Sequence, residues 1–286
     1  MYNPSGPPNN KPVCVYALFT REMDTHKHCY CRFLISEQGT IMGLSSSKIK
    51  DKYKTIEEVQ KAIRTAGLES SNLVFGIDYT KSNLYTGEKS FNNKSLHDTT
   101  GINPYMEVIQ VLGETLEPFD DDHIIPAFGF GDKSVFPFYP DKQPIGFQEV
   151  IQRYVQITPQ ICLSGPTNFA PLINETINIV KTARAYHILI IVTDGQVTNE
   201  RDTVNAIVNA SNFPISIICI GVGDGPWDEM KRFDDKIKNR KFDNFQFVEF
   251  NLVRRKHAEN FAPNFATACL MEIPDQYKLI KKLGLL

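Results

Sequence analysis

Three short stretches of the chain carry side chains that could do chemistry. Asp78-Tyr79-Thr80-Lys81-Ser82 sets an acid and two hydroxyls at alternate positions, so in an extended loop the three side chains converge on one side. Thr193-Asp194-Gly195 puts a second acid before a flexible turn, and Ser164-Gly165-Pro166-Thr167 offers another hydroxyl where glycine and proline force a tight loop. Asp78, Thr80, Ser82, Thr167 and Asp194 together form a set of oxygen donors with no His or Cys. Such a set suits a hard divalent cation, Mg²⁺ first and Mn²⁺ or Ca²⁺ next. Two carboxylates among neutral ligands leave the ion partly uncompensated and open to a carboxylate from outside. Each stretch alone also reads as an ordinary turn. What favours a metal is that all three lie at or just beyond the C-terminal end of an expected strand.

The elements that must position these residues follow from the apolar pattern. Strand-length runs occupy Leu73 to Ile77, Ile124 to Phe130, His187 to Val192, Ile215 to Val222 and Phe245 to Phe250. Helical patterns occupy Tyr105 to Leu116, Phe147 to Val155, Phe169 to Ala183 and Thr203 to Ala210. Thr55 to Gly67 reads as a helix opened by a Thr55/Glu58 capping box and stopped by glycine. Phe261 to Glu272 and Asp275 to Leu283, separated by Pro274, close the chain. Alternation of strand and helix predicts an α/β fold: a doubly wound, mainly parallel sheet with helices on both faces, of Rossmann-like type. Residues 1–50 read as a disordered or irregular segment and 51–286 as one domain with an N-terminal helix and C-terminal helices.

Composition narrows the function. The 286 residues carry 31 Lys+Arg against 33 Asp+Glu, a formal charge of -2, and no whole-chain field for nucleic acid or anionic lipid. No apolar run reaches the length of a membrane span, and Val13 to Phe19 lacks the flanks of a secretion signal. Cys162, Cys219 and Cys269 sit in apolar or helical patterns, as buried free thiols do. These features together predict a cytoplasmic protein.

The donor set resembles the metal-ion-dependent adhesion site of von Willebrand factor A domains. The surrounding text is more specific: GLESSNLVFGIDYTKSN, NPYMEVIQVLGETLEPFDDDHIIPAFGFGD, LSGPTNFAPLI, GVGDGPWDEMKRFDD and MEIPDQYKLIKKLGLL resemble the copine branch, and most of all the plant copine-like RING ubiquitin ligases. The resemblance runs from Tyr53 to Leu286. It implies an A domain that binds a protein ligand through a metal-held carboxylate. It also raises an alternative, a component of a ubiquitination pathway whose RING is supplied elsewhere. The 286 residues offer no evident seat for the paired calcium-dependent lipid-binding domains of copines or for the RING of the ligases, so neither calcium-triggered docking nor catalysis is expected.

Other motifs carry less. His26, His28, Cys29 and Cys31 are too tightly spaced for a zinc finger. Gly129-Phe130-Gly131 and Gly221-Val222-Gly223 lack the third glycine of a dinucleotide loop and read as close-packed turns. A hydrolase would want a second acid where Thr80 stands, and no nucleophile has a base near it in sequence. Lys231 to Lys241 and Arg254 to His257 read as solvated basic faces. Trp227, beyond a strand end, is a candidate partner-facing anchor, the other reading being a residue packed under its loop. Met42-Gly43-Leu44-Ser45-Ser46-Ser47 fits the N-myristoylation pattern, with Gly43 as acceptor where Met42 is the initiator, so peripheral attachment to a membrane is a further expectation.

Overall fold

The structure is a computed structural model that describes Ile49, residues 52–195 and residues 197–286. The readings placed on the N-terminal tail, including the boundary at residue 50, the group His26, His28, Cys29 and Cys31, and Gly43, lie outside the described residues.

Helix α1 (Ile56–Thr65) opens at Thr55, whose hydroxyl accepts the Glu58 N–H at 3.4 Å, while the Glu58 carboxylate accepts from the Lys54 N–H at 2.8 Å. Its apolar stripe buries Val59 and Ile63, and Gly67, at φ +82°, takes the left-handed conformation that ends it. Beyond it, six strands form one sheet: β1 (Asn72–Asp78), β2 (Ala127–Phe130), β3 (Val135–Pro137), β4 (His187–Thr193), β5 (Ile215–Gly221) and β6 (Phe245–Glu249). The order is β3-β2-β1-β4-β5-β6, parallel throughout except for the edge pair β2 and β3.

Two-residue alternation sends the side chains of each central strand to opposite faces. Leu73, Phe75 and Ile77 of β1 join Ile188, Ile190 and Val192 of β4 in a core covered by α1, α2 (Pro104–Leu116), α3 (Gly146–Ile157), α7 (Phe250–Lys256), α8 (Phe261–Leu270) and α9 (Ile273–Lys282). Val74, Leu189, Ile191, Ile217 and Cys219 join a second core under α4 (Ala170–Ala183), α5 (Glu200–Ala210) and α6 (Asp228–Lys236). Burial on both faces is why these strands read as unbroken apolar runs. Gly76 lets α4 approach β1: a Cβ there would lie 2.1 Å from Leu172 Cδ2. The chain leaves β1 for β2 on one side and later returns to β4 on the other. The crevice between the carboxyl ends of β1 and β4 is therefore the switch point at which open α/β sheets bind ligands.

Several expectations need correction. β2 starts at Ala127, three residues later than read, because Ile124 instead makes an isolated antiparallel bridge with Ile145. β3 and the helices α6 and α7 are further elements beyond those the apolar pattern predicts. The Lys231 to Lys241 stretch includes most of α6, which buries Met230 and Phe233 and turns Lys231 and Arg232 out to pair with Glu249 and Glu200. Pro274 does not separate the last two helices but lies in the first turn of α9, where its missing N–H leaves no helical bond unmade. Cys219 and Cys269 are buried as expected, but Cys162 is exposed in the loop after α3. Among the described residues no helix is long and apolar enough to cross a membrane.

Candidate metal centre

The five oxygen donors lie together at this switch point. Asp78 is the last residue of β1, and Asp194 follows the last residue of the neighbouring strand β4. After Thr80 a single 3₁₀ turn, Lys81–Leu84, carries Ser82 back over the strand ends. Thr167 arrives on the loop before α4, where Gly165 sits at φ +73°. That loop is pinned by Asn168 N–H to the Gly131 carbonyl at 3.1 Å and by Thr198 N–H to the Thr167 carbonyl at 2.9 Å. The side-chain oxygens form a connected set: Thr80 Oγ1 is 2.6 Å from Asp78 Oδ1, 3.1 Å from Ser82 Oγ and 3.2 Å from Thr167 Oγ1, and Ser82 Oγ is 3.0 Å from Asp194 Oδ1.

Asp78 and Asp194 are fully buried, Thr80 and Thr167 nearly so, and Ser82 is half-buried. Burial, with the Asp194 carboxylate beside it, holds the Asp78 carboxyl well above the usual carboxylate range, against the hydrogen bonds from Thr193 and Thr80. Burial likewise raises Asp194. Among the described residues no Lys, Arg or His forms an ion pair with either acid. Two buried like charges without a protein counter-ion are costly, and a divalent cation would balance them. Carboxylate and hydroxyl oxygens of this kind suit a hard divalent cation. Among the described residues no three His, Cys, Asp or Glu come together as a metal site, and the cluster offers two carboxylates and three hydroxyls.

Two hydroxyls outside the expected set orient the acids. Thr193 Oγ1 donates to Asp78 Oδ2 at 2.5 Å and Thr86 Oγ1 to Asp194 Oδ2 at 2.6 Å. Thr193 lies inside the Thr-Asp-Gly motif and was within reach of the sequence; Thr86, on a turn four residues beyond Ser82, has no signal of its own. The next turn closes against the acid: a Cβ at Gly223 would lie 2.9 Å from the Asp194 carbonyl oxygen, which is the close packing read from Gly221-Val222-Gly223. Beneath the loop, His97 contacts the Asp78 carbonyl at 2.7 Å through Nε2. Burial pushes this imidazole down to about 4, although the hydrogen bond to the Asp78 carbonyl acts the other way.

Trp227 is not a surface anchor. It is 7% exposed, with its indole laid over Gly221 and Gly225 and 5.5 Å from the Phe247 ring. The two glycines leave the room it fills, so the packed reading is the one the structure has, and burial removes the face that a partner would need.

A doubly wound sheet with this oxygen cluster at its switch point defines a protein of the von Willebrand factor A class. The family profile described as Copine matches residues 95–286. Copine family protein 2 of Caenorhabditis elegans is 54% identical over 245 residues, which cover 82% of this chain and 3% of that protein. The E3 ubiquitin-protein ligase RGLG1 of Arabidopsis thaliana is 49% identical over 262 residues, covering 84% of this chain and 54% of the ligase. For RGLG3 of the same plant the identity is 49% over 260 residues, covering 83% of this chain and 71% of the ligase. The chain thus spans about half the length of RGLG1 and a small part of the nematode protein. Among solved structures, a von Willebrand factor type A protein from Catenulispora acidiphila superposes with a TM-score of 0.46 at 20% identity, covering 71% of this chain and 43% of that one. The chain belongs to the copine family.

Proposed function

We propose that this domain binds a protein ligand through a divalent cation, Mg²⁺ first and Mn²⁺ or Ca²⁺ next, held by Asp78, Thr80, Ser82, Thr167 and Asp194. The observation that carries this reading is the pair of buried carboxylates, Asp78 and Asp194, with no ion-pair partner among the described residues and with the Thr80, Ser82 and Thr167 hydroxyls joined to them at 3.2 Å or less. When bound, the ion would supply a partly uncompensated positive charge able to accept an external carboxylate. Thr193 and Thr86 hold the two acids in orientation, the 3₁₀ turn presents Ser82 at the surface, and the loop at Gly165 brings Thr167 alongside. No group in the cluster is placed as a nucleophile with a base, so the role is binding rather than catalysis. Calorimetric titration tests this. Wild type binds Mg²⁺ or Mn²⁺ at a single site, and Asp194→Ala abolishes binding while the fold survives, since the change removes one of two mutually repelling buried acids. Unchanged affinity in the folded variant sinks the assignment.

A second reading is favoured by the identity of about one residue in two with the Arabidopsis ligases. Here the domain docks substrates or regulators within a ubiquitination assembly whose zinc-bound module lies elsewhere. Reconstitution with a charged conjugating enzyme separates the cases: transfer that needs an added RING partner supports it, and transfer by this 286-residue chain alone excludes it. The cytoplasmic setting and a peripheral membrane attachment through Gly43 belong to the same proposal. Mass spectrometry of the endogenous N-terminus tests the attachment, and residues 30–50 recovered as one continuous chain with no acylated Gly43 species would exclude it.

A further inference from the structure

Under the cation loop lies a polar core of His97, Tyr105, Asn83, Tyr154 and Asn103, drawn from α2, α3 and the turns between β1 and α2. Its members are buried, and three of them, His97, Asn83 and Tyr105, approach one atom. The Asp78 carbonyl oxygen accepts from His97 Nε2 at 2.7 Å and from the Asn83 amide at 3.3 Å, and the Tyr105 hydroxyl, whose proton goes to Asn83, lies 3.4 Å from it. Asn83 also donates to the Thr80 carbonyl at 3.1 Å and accepts from Tyr105 at 2.6 Å. The Asp78 and Thr80 carbonyls are thus taken from below, while the Asp78, Thr80 and Ser82 side chains gather above.

The His97 contact is the shortest of the three to that carbonyl, and its direction is fixed. A carbonyl can only accept, so Nε2 carries the proton and Nδ1 in the neutral ring must accept. The Tyr154 hydroxyl, 2.7 Å from Nδ1, therefore donates to it, and it accepts in turn from Asn103 Nδ2 at 3.1 Å. Asn103 is itself held, since its Oδ1 accepts the Met106 N–H at 3.0 Å as the cap of α2. The result is one directed chain, Asn103 to Tyr154 to His97 to Asp78, that links the start of α2 to the end of β1. The imidazole cannot tilt away, because it lies between Tyr79 and Tyr105 with ring centroids at 4.7 Å and 4.3 Å and planes within 18° of each. A side chain needed only to fill this slot could be a phenyl ring. The imidazole adds a directed bond to the residue that carries the first acid of the cluster.

We propose that His97 is a positioning residue for the cation loop: it holds the Asp78 peptide from beneath and so sets the aim of the Asp78 carboxylate and, through it, of the Thr80 hydroxyl. This inference rests on the metal reading of that cluster. Groups that orient the ligands of a metal are commonly worth roughly 10- to 100-fold in metal affinity when removed, and the same scale is expected here.

The test uses the full chain with Mg²⁺ and Mn²⁺ as probes. His97→Phe keeps the stacked ring and loses the donor; His97→Gln restores an N–H donor at about the reach of Nε2; Tyr154→Phe leaves His97 in place with Nδ1 unpartnered. Calorimetric affinity is measured for each alongside its melting temperature in chelator, and the His97 tautomer of the wild type is read by long-range ¹H–¹⁵N correlation. The expected result is an Nε2–H tautomer, at least a tenfold loss of affinity in a folded His97→Phe and partial recovery in His97→Gln. A folded His97→Phe that binds as wild type does, or an Nδ1–H tautomer, overturns the inference and leaves the metal reading standing. Where His97→Phe does not fold, Tyr154→Phe decides: weakened binding supports the chain and unchanged binding overturns it. A wild type that binds neither ion removes both readings.

Discussion

The Thr193 hydroxyl at the end of β4 donates across the seam of the sheet to Asp78 Oδ2 at 2.5 Å. The bond ties together the two strands whose ends form the switch point, and its acceptor is a fully buried carboxylate. Hydrogen bonds to charged groups contribute about 1.5–3 kcal/mol, so Thr193→Val, nearly equal in shape, should destabilise the metal-free protein by that amount at a pH above the raised Asp78 value, where the acceptor is ionised. In an Asp78→Ala background the same change should cost less than about 0.5 kcal/mol, because the acceptor is gone. Denaturant melts of the four proteins in chelator close the cycle, and equal costs in the two backgrounds would remove the bond from the account.

Asp120 predicts a pH dependence away from the cluster. Its side chain is 2% exposed and its Oδ1 has no hydrogen-bond partner among the described residues. Burial, helped by Asp122, pushes its carboxyl up to about 6, with His123 acting against them. The folded value thus lies above the unfolded one of about 3.9. Its contribution is fully present below about pH 4, is lost as pH rises through about 6, and above that the buried charge is a burden. Asp120→Asn should therefore stabilise the protein by roughly 1–2 kcal/mol at pH 7.5 and by almost nothing at pH 4. An equal gain at both values would exclude the ionised side chain as the cause.

The legible parts of the molecule were those in which residue type and spacing act locally. Asp78, Thr80, Ser82, Thr167 and Asp194 could be read because each stands at a strand end or in the loop beyond it, and the doubly wound order then brings those ends together. The runs His187 to Val192 and Ile215 to Val222 could be read, each within one residue of the strand that forms, because burial on both faces leaves no polar gap. Helix α6 was hidden because Met230 and Phe233 are two apolar positions among Lys, Arg and Asp, and three residues of β3 are too few for a period to show. His97 was out of reach for another reason. Its partners Asp78, Tyr105 and Tyr154 lie 19, 8 and 57 residues away, and only the packing of α2 and α3 against β1 makes them neighbours.

Gly76 shows how closely the frame under the cluster is packed. It lies two residues before Asp78, and an added Cβ would meet Leu172 Cδ2 at 2.1 Å and Cγ at 3.1 Å. Overpacking of this kind costs about 1–3 kcal/mol. Gly76→Ala should destabilise by that amount in the wild type and by less than about 1 kcal/mol when Leu172→Ala has first opened the space. Thermal unfolding of the single and double variants measures the difference, and simple additivity would mean that the strain falls elsewhere.

Trp227 separates a packing role from a docking role. It follows Gly225-Pro226 after β5, and its six-membered ring lies 2.7 Å from the place a Gly221 Cβ would occupy, with Nε1 3.0 Å from that of Gly225. With Met230 and Phe233 it belongs to the core beneath α4, α5 and α6. Removing it empties a large space walled by glycines that have no side chains to collapse into it, so the loss should lie at the upper part of the range for buried aromatics. Trp227→Ala is expected to cost about 3–5 kcal/mol of folding stability, measured by urea unfolding followed by circular dichroism. Cation affinity per folded molecule should stay unchanged, since no atom of Trp227 hydrogen-bonds to Asp78, Thr80, Ser82, Thr167 or Asp194. A variant with wild-type stability that had lost only protein binding would return Trp227 to the surface role and contradict its burial.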